Sequence, residues 1–152
     1  MYKIIGLSIM FLFTKNNAKS QNLTNEGTDF WVAFTEVHEM AKATFEINIT
    51  SRVTTTGTIT IVGGSGFTTS FNVKPGEVAI VKIPSIDAHN ALSEIIAHRS
   101  IHIESVNPVS VFATTYDHQG QSEAAICLPS QSLGSDYMIT TYADTNATDG
   151  FA

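Results

Sequence analysis

An all-β fold, an antiparallel β-sandwich-like module with at most one short helix near residues 86–97, is what this sequence predicts, and three observations carry the reading. Nineteen of the 152 residues are Thr, a β-branched type that fits a pleated, half-wet surface better than a helix. Apolar and polar residues alternate with period two in several stretches, which puts one face of each strand inside and the other in water. Turn signals separate these stretches at intervals of roughly eight to twelve residues, the spacing of a sandwich rather than of strand–helix units. With 43% hydrophobic and 14% charged residues, the chain has the composition of a folded domain.

Taken in order, the first strand opens at Gly27-Thr28-Asp29-Phe30-Trp31-Val32-Ala33-Phe34, where Trp31 with Phe30 and Phe34 is expected to pack in the core. The alternative reading of these rings is an aromatic ligand platform. Phe45, Ile47 and Ile49 alternate with Glu46, Asn48, Thr50 and Arg52, which predicts a strand over Phe45–Val53. Gly57–Val62 repeats the pattern, and Gly63-Gly64-Ser65-Gly66 ends it with a hairpin turn that leads to a return strand over Phe67–Val73. A glycine-rich loop cradles phosphate only when it opens a helix, so the strand that follows argues against a phosphate site.

Lys74-Pro75-Gly76-Glu77 is a turn and delivers a strand from Val78 to Ile83, closed by Pro84. Between Ser85 and Ser100 the residues Ala88, Leu92, Ile95 and Ile96 fall at helical spacing with Ser85 placed to cap, the basis for the short helix or irregular crossover expected there. Ile101–Glu104 resumes the alternation. After a break at Asn107-Pro108 come strands over Val109–Tyr116, Glu123–Leu128 and Tyr137–Tyr142.

Residues 1–20 have a Lys at position 3, a ten-residue apolar run from Ile4 to Phe13 and small residues ahead of Gln21, so a signal peptide cleaved after Ser20 is expected. The run is too short to span a bilayer as a helix, which takes about 20 residues. The chain carries 8 basic and 14 acidic residues. Loss of Lys3, Lys15 and Lys19 leaves 5 basic against 14 acidic, a formal charge of −9. No Lys/Arg block exists on which nucleic acid could be held. Cys127, the single Cys, lies in the apolar run Ala124–Leu128 and reads as a small buried hydrophobe rather than a nucleophile or disulfide partner. Asp149-Gly150-Phe151-Ala152 starts what reads as a further strand, so residues 21–152 are expected to be the incomplete front domain of a longer polypeptide.

Three segments carry a resemblance. Gly27–Phe34 resembles the opening motif of the IgGFc-binding protein N-terminal domain family. Ile101-His102-Ile103-Glu104-Ser105-Val106-Asn107-Pro108-Val109-Ser110-Val111-Phe112-Ala113 is similar to that family's strand, break and Pro-Val-Ser-Val strand. Leu128-Pro129 with Leu133-Gly134-Ser135-Asp136-Tyr137 resembles its "LP…LGxxY" element. Together they cover roughly Glu26 to Ala152. The resemblance implies a secreted β-rich module of large mucosal animal proteins and of multidomain exported bacterial proteins, and it implies no catalytic residues. Antibody Fc binding is not carried over, because no binding residues are established that could be matched position by position. Arg99-Ser100 departs from the family, which often has Gly before the Ile-His-Ile strand, and the Lys start and Ser-Gln junction look bacterial.

The chemistry-bearing patterns all have a plainer reading. His98 and His102 share a helical metal spacing, but on a strand i and i+4 lie about 13 Å apart, and His102 reads as an outward-facing surface residue. His38-Glu39 lacks the second His of a zincin helix, since position 42 is Lys. Gly64-Ser65-Gly66 lacks the spacing and helix of a nucleophile elbow, and the carboxylate pairs Glu36/Glu39 and Asp117/Glu123 have no reason to face one another across a cleft. Asp144–Gly150 is rich in oxygen ligands yet departs from the EF-hand spacing. Asn22-Leu23-Thr24, Asn48-Ile49-Thr50 and Asn146-Ala147-Thr148 fit the glycosylation pattern in a Thr-rich chain. No residue is therefore assigned to catalysis, a cofactor or a metal.

The expected protein is a noncatalytic extracellular binding, adhesion or scaffold module of a secreted or cell-surface multidomain protein. Its expected partners are an extracellular protein or glycan and the C-terminal domains of its own polypeptide, with no nucleic acid and no membrane insertion after signal cleavage. The alternatives are part of a carbohydrate-active enzyme and a purely structural β-module.

Overall fold

A computed structural model describes residues 24–35, 43–64, 66–90, 97–117 and 122–138. Alternation of apolar and polar residues builds seven antiparallel strands within them: β1 (Glu26–Val32), β2 (Ala43–Ser51), β3 (Thr55–Val62), β4 (Thr68–Val73), β5 (Ala79–Ile83), β6 (Ser100–Asp117) and β7 (Ser122–Cys127). Among the described residues, helix is confined to one turn, α1 (Ser85–Ala88), and a 3-10 turn at Ser130–Ser132. The all-β expectation is met. Of the helix expected near 86–97, only the single turn forms before His89 goes extended, and positions 91–96 lie outside the described residues. None of the helices among the described residues is long and apolar enough to cross a membrane.

The sheet is organised by β6, whose 18 residues serve two sets of neighbours. Its first half, from Ser100 to Ser105, has β3 on one side, and β1 lies along Ile101–Glu104 on the other. Its second half, from Val109, has β2 on one side and β7 on the other, with the start of β1 beside Val109 and Ser110. β4 lies outside β3, and β5 outside β2. The result is two leaves, β4-β3-β6-β1 and β5-β2-β6-β7, that share one strand. The first leaf sends Phe30, Ile59, Ile101 and Ile103 inward and the second Phe45, Ile47, Ile49 and Val111, all fully buried in one core. Contacts of β4 with β2 and β5 bring the leaves together.

A break at Asn107-Pro108 is where the sequence predicts two strands, whereas β6 runs through it. The pairing shows why. β3 pairs as far as Ser105 and β2 begins at Val109, while the register with β1 jumps from Asp29↔Glu104 to Gly27↔Val109. The missing N–H of Pro108 therefore falls between ladders and costs no strand hydrogen bond. Side-chain hydroxyls satisfy the corner: the Asn107 N–H donates to Thr55 Oγ1 at 3.0 Å, and Ser51 Oγ donates to the Pro108 carbonyl at 3.1 Å.

The Gly63–Gly66 turn joins β3 to β4 as expected, with Gly63, Gly64 and Gly66 at φ of 95°, 71° and 73°, a region that other residues enter only with strain. Of the strand expected over Tyr137–Tyr142, Tyr137 and Met138 are not in a strand, and the other positions lie outside the described residues. Arg99, standing where the resemblance leads one to expect glycine, donates from Nη1 to the His89 carbonyl at 2.7 Å and so ties the entry of β6 to the end of α1.

Candidate functional site

Period two turns alternate residues of the first leaf outward, and the register aligns them in two rows across four strands. One row is Trp31, His102, Thr60, Thr68; the other is Asp29, Glu104, Thr58, Ser70. Thr60 and Thr68 share a hydroxyl hydrogen bond at 3.2 Å. An open hollow of about 470 Å³ lies beside the second row, lined by Thr58, Ser70, Glu104 and Val106 among others.

Asp29 is the hub of this face. Ser130 Oγ donates a hydrogen bond to Asp29 Oδ1, which fastens the 3-10 turn to β1, and Pro129 lies against Gly27, where a Cβ would overlap it. His102 Nε2 lies 2.8 Å from Asp29 Oδ2, and its Nδ1 lies 3.8 Å from Glu104 Oε2. The indole of Trp31 stacks on the imidazole, centroids 4.3 Å apart and planes 15° apart. The Ser130 hydroxyl first, and His102 second, hold the Asp29 carboxyl below its ordinary value of 3.8.

That shift sets a pH dependence. A carboxyl whose folded pKa is depressed contributes stability above its unfolded value and loses it as pH falls through the lower folded value. Acid unfolding of the wild type is therefore expected to gain a step as pH drops below about 4, and Asp29→Asn should flatten it. Denaturant midpoints measured from pH 6 to pH 2 check this; a variant whose midpoint falls in parallel with the wild type contradicts it. Asp29 is half-exposed, so solvent screening keeps the step small.

Chemically, the order of the groups matters more than their kinds. In a hydrolytic triad the imidazole stands between hydroxyl and carboxylate, so that it can take the hydroxyl proton. Here the carboxylate stands between hydroxyl and imidazole, and Ser130 spends its proton on Asp29. The arrangement holds the imidazole in place; it does not activate Ser130 as a nucleophile.

Among the residues singled out by sequence, His102 faces outward as expected, and its partner is Asp29 across the strands rather than His98, which is exposed ahead of β6. Trp31 corrects the core expectation. Phe30, Val32 and Phe34 occupy the inward positions, so period two turns Trp31 out, where it is 47% exposed. Trp31→Ala is accordingly expected to cost about 1 kcal/mol, mainly the stack on His102, rather than the several expected of a buried ring. A urea titration measures it.

Cys127 is half-buried against the core, and burial pushes its thiol pKa up from 9.0, which suits a small hydrophobe and not a nucleophile. Asn48 Nδ2 donates to Thr114 Oγ1 at 2.9 Å on the central strand β2, which occupies the nitrogen that glycosylation would need. Glu123 lies on exposed β7, opposite Thr115 of β6. Ser65, Glu36, His38, Glu39 and the span 144–150 lie outside the described residues.

The Asp29–His102–Ser130 cluster is what sequence reasoning did not assemble, since its members are 73 and 101 positions apart. One signal was present: the three segments that carry the family resemblance each supply one of these residues or its immediate neighbours. Compared with protein-family models, curated proteins and solved structures, the chain matches none. Fold and site define a class, an antiparallel β-sandwich-like module that presents a polar sheet face with one exposed indole.

Proposed function

We propose that this chain is a noncatalytic extracellular binding, adhesion or scaffold module of a secreted or cell-surface multidomain protein, akin to the IgGFc-binding protein N-terminal domains that its motifs resemble. The observation that carries the reading is the outer face of the first leaf. Its two rows carry hydroxyl, carboxylate and imidazole groups, one of them ends in an indole braced by a stack, and exposed Trp is a side chain enriched where proteins hold partners. Such a face offers hydrogen bonds to a glycan or peptide and a rigid apolar plate beside them. The expected signal peptide supports an exported location.

The test is capture of the chain on immobilised mucin, bacterial polysaccharides and antibody Fc, with products analysed in the same wells. Saturable binding without cleavage, weakened at least tenfold by Trp31→Ala, is the expected result. Cleaved glycan or peptide would favour a carbohydrate-active enzyme or protease instead. Binding that ignores Trp31 would move the contact to another face.

A further inference from the structure

We propose that His102 and Glu104 form a solvent-facing site for a divalent transition cation of the zinc class, with Asp29 as the carboxylate that orients the imidazole. An ionised carboxylate only accepts hydrogen bonds, so the 2.8 Å contact between Asp29 Oδ2 and His102 Nε2 assigns the proton to Nε2 in the neutral ring. The lone pair is then on Nδ1, which faces Glu104 Oε2 across 3.8 Å. A lone pair turned toward a carboxylate across such a gap repels it, and a cation between them reverses the sign of the interaction. Ligands about 2.0–2.2 Å from zinc stand about 3.4 Å apart at the tetrahedral angle, so closing the gap takes under about 1 Å of movement. Glu104 is the more exposed of the two side chains and is free to supply it.

The surroundings match what a histidine ligand needs. Metal-bound histidines donate their other ring N–H to a carboxylate, which fixes the tautomer and the ring orientation. Asp29 is the acceptor of that N–H here, Ser130 holds Asp29 in turn, and the Trp31 stack fixes the ring plane. Oxygen atoms of both carboxylates and a nitrogen of the ring all lie within 4.8 Å of one another, and the open side leaves room for water to complete the shell. Imidazole with carboxylate suits Zn²⁺, Cu²⁺ or Ni²⁺ better than Ca²⁺ or Mg²⁺. This inference goes beyond the proposed binding function and stands or falls separately from it.

Trp31 is the only Trp in the chain and touches the proposed ligand, so its fluorescence reports the site directly. The experiment titrates the full chain with CuCl₂ at pH 7.5, with ZnCl₂ as competitor, and repeats the titration with Glu104→Gln, His102→Gln and Asp29→Asn. Circular dichroism of each variant confirms folding, and exposed Glu104 gives a variant that keeps the test decisive should His102→Gln not fold. Saturable one-to-one quenching that zinc relieves is expected. Glu104→Gln should raise the half-saturating copper concentration at least tenfold and His102→Gln should abolish saturation, while Asp29→Asn should weaken binding on the order of 10–100-fold. Absent quenching, or quenching unchanged in Glu104→Gln, overturns the site.

Discussion

Phe45→Ala is expected to destabilise the fold by about 3–5 kcal/mol, the range for emptying a fully buried aromatic site. Phe45 has no exposed surface, stacks on Phe34 with centroids 4.5 Å apart and planes 4° apart, and stands near His89 at 6.3 Å. Its strand neighbours are Ile83 of β5 and Thr115 of β6, so the ring sits where the second leaf meets the segment around α1. A loss of that size is a large share of the roughly 5–15 kcal/mol that holds a domain folded. Guanidinium unfolding followed by circular dichroism measures it. Ile80→Ala, on the outward side of the neighbouring edge strand, is the control and should shift stability by less than about 0.5 kcal/mol.

Gly57→Ala is the second large effect, with an expected cost of about 3 kcal/mol, at the upper end for overpacking. The added Cβ would overlap the carbonyl oxygen of Glu104 and the ring of Phe71. A flexible side-chain tip could yield; a backbone oxygen in the β3–β6 ladder and a buried ring cannot do so cheaply. Gly57 pairs with both Ser105 and Phe71, so relief of the clash would pull β3 from one neighbour or the other just below the corner of β6. Gly66→Ala provides the contrast: nothing lies within 4 Å of the added atom, and its cost is the backbone strain of a positive φ alone, about 1 kcal/mol. The same unfolding measurement ranks the two, and an equal cost for both would show that β3 has room to move.

Period two was the legible part of the fold. Phe45, Ile47 and Ile49 alternate so cleanly that the inward face of β2 could be named residue by residue, and the glycine cluster after Val62 marks the hairpin. The alternation in Phe30, Val32 and Phe34 also turns Trp31 outward; the expectation of a buried indole rested on its place in an opening strand and did not ask which side of that strand position 31 faces. Pro108 misled for a related reason, since proline breaks a ladder only where a ladder exists, and which positions of β6 are paired depends on four other strands. The cluster at Asp29 was illegible because it is made by register. His102 could be placed on the outer side of its strand, but which carboxylate stands beside it follows from the pairing of β1 with β6, 73 positions away in the chain.

The place of β6 between both leaves has a consequence for the time course of folding. β1, β2 and β3 all take their main pairing from a strand that begins at Ser100, so during synthesis only the local β3–β4 hairpin and the β2–β5 pair can form beforehand. Contacts of such long sequence separation carry a heavy loop-closure cost and slow the search. The nascent chain therefore stays without its core until about residue 117 is available; β6 then joins both leaves at once, and β7 is added to the second leaf afterwards.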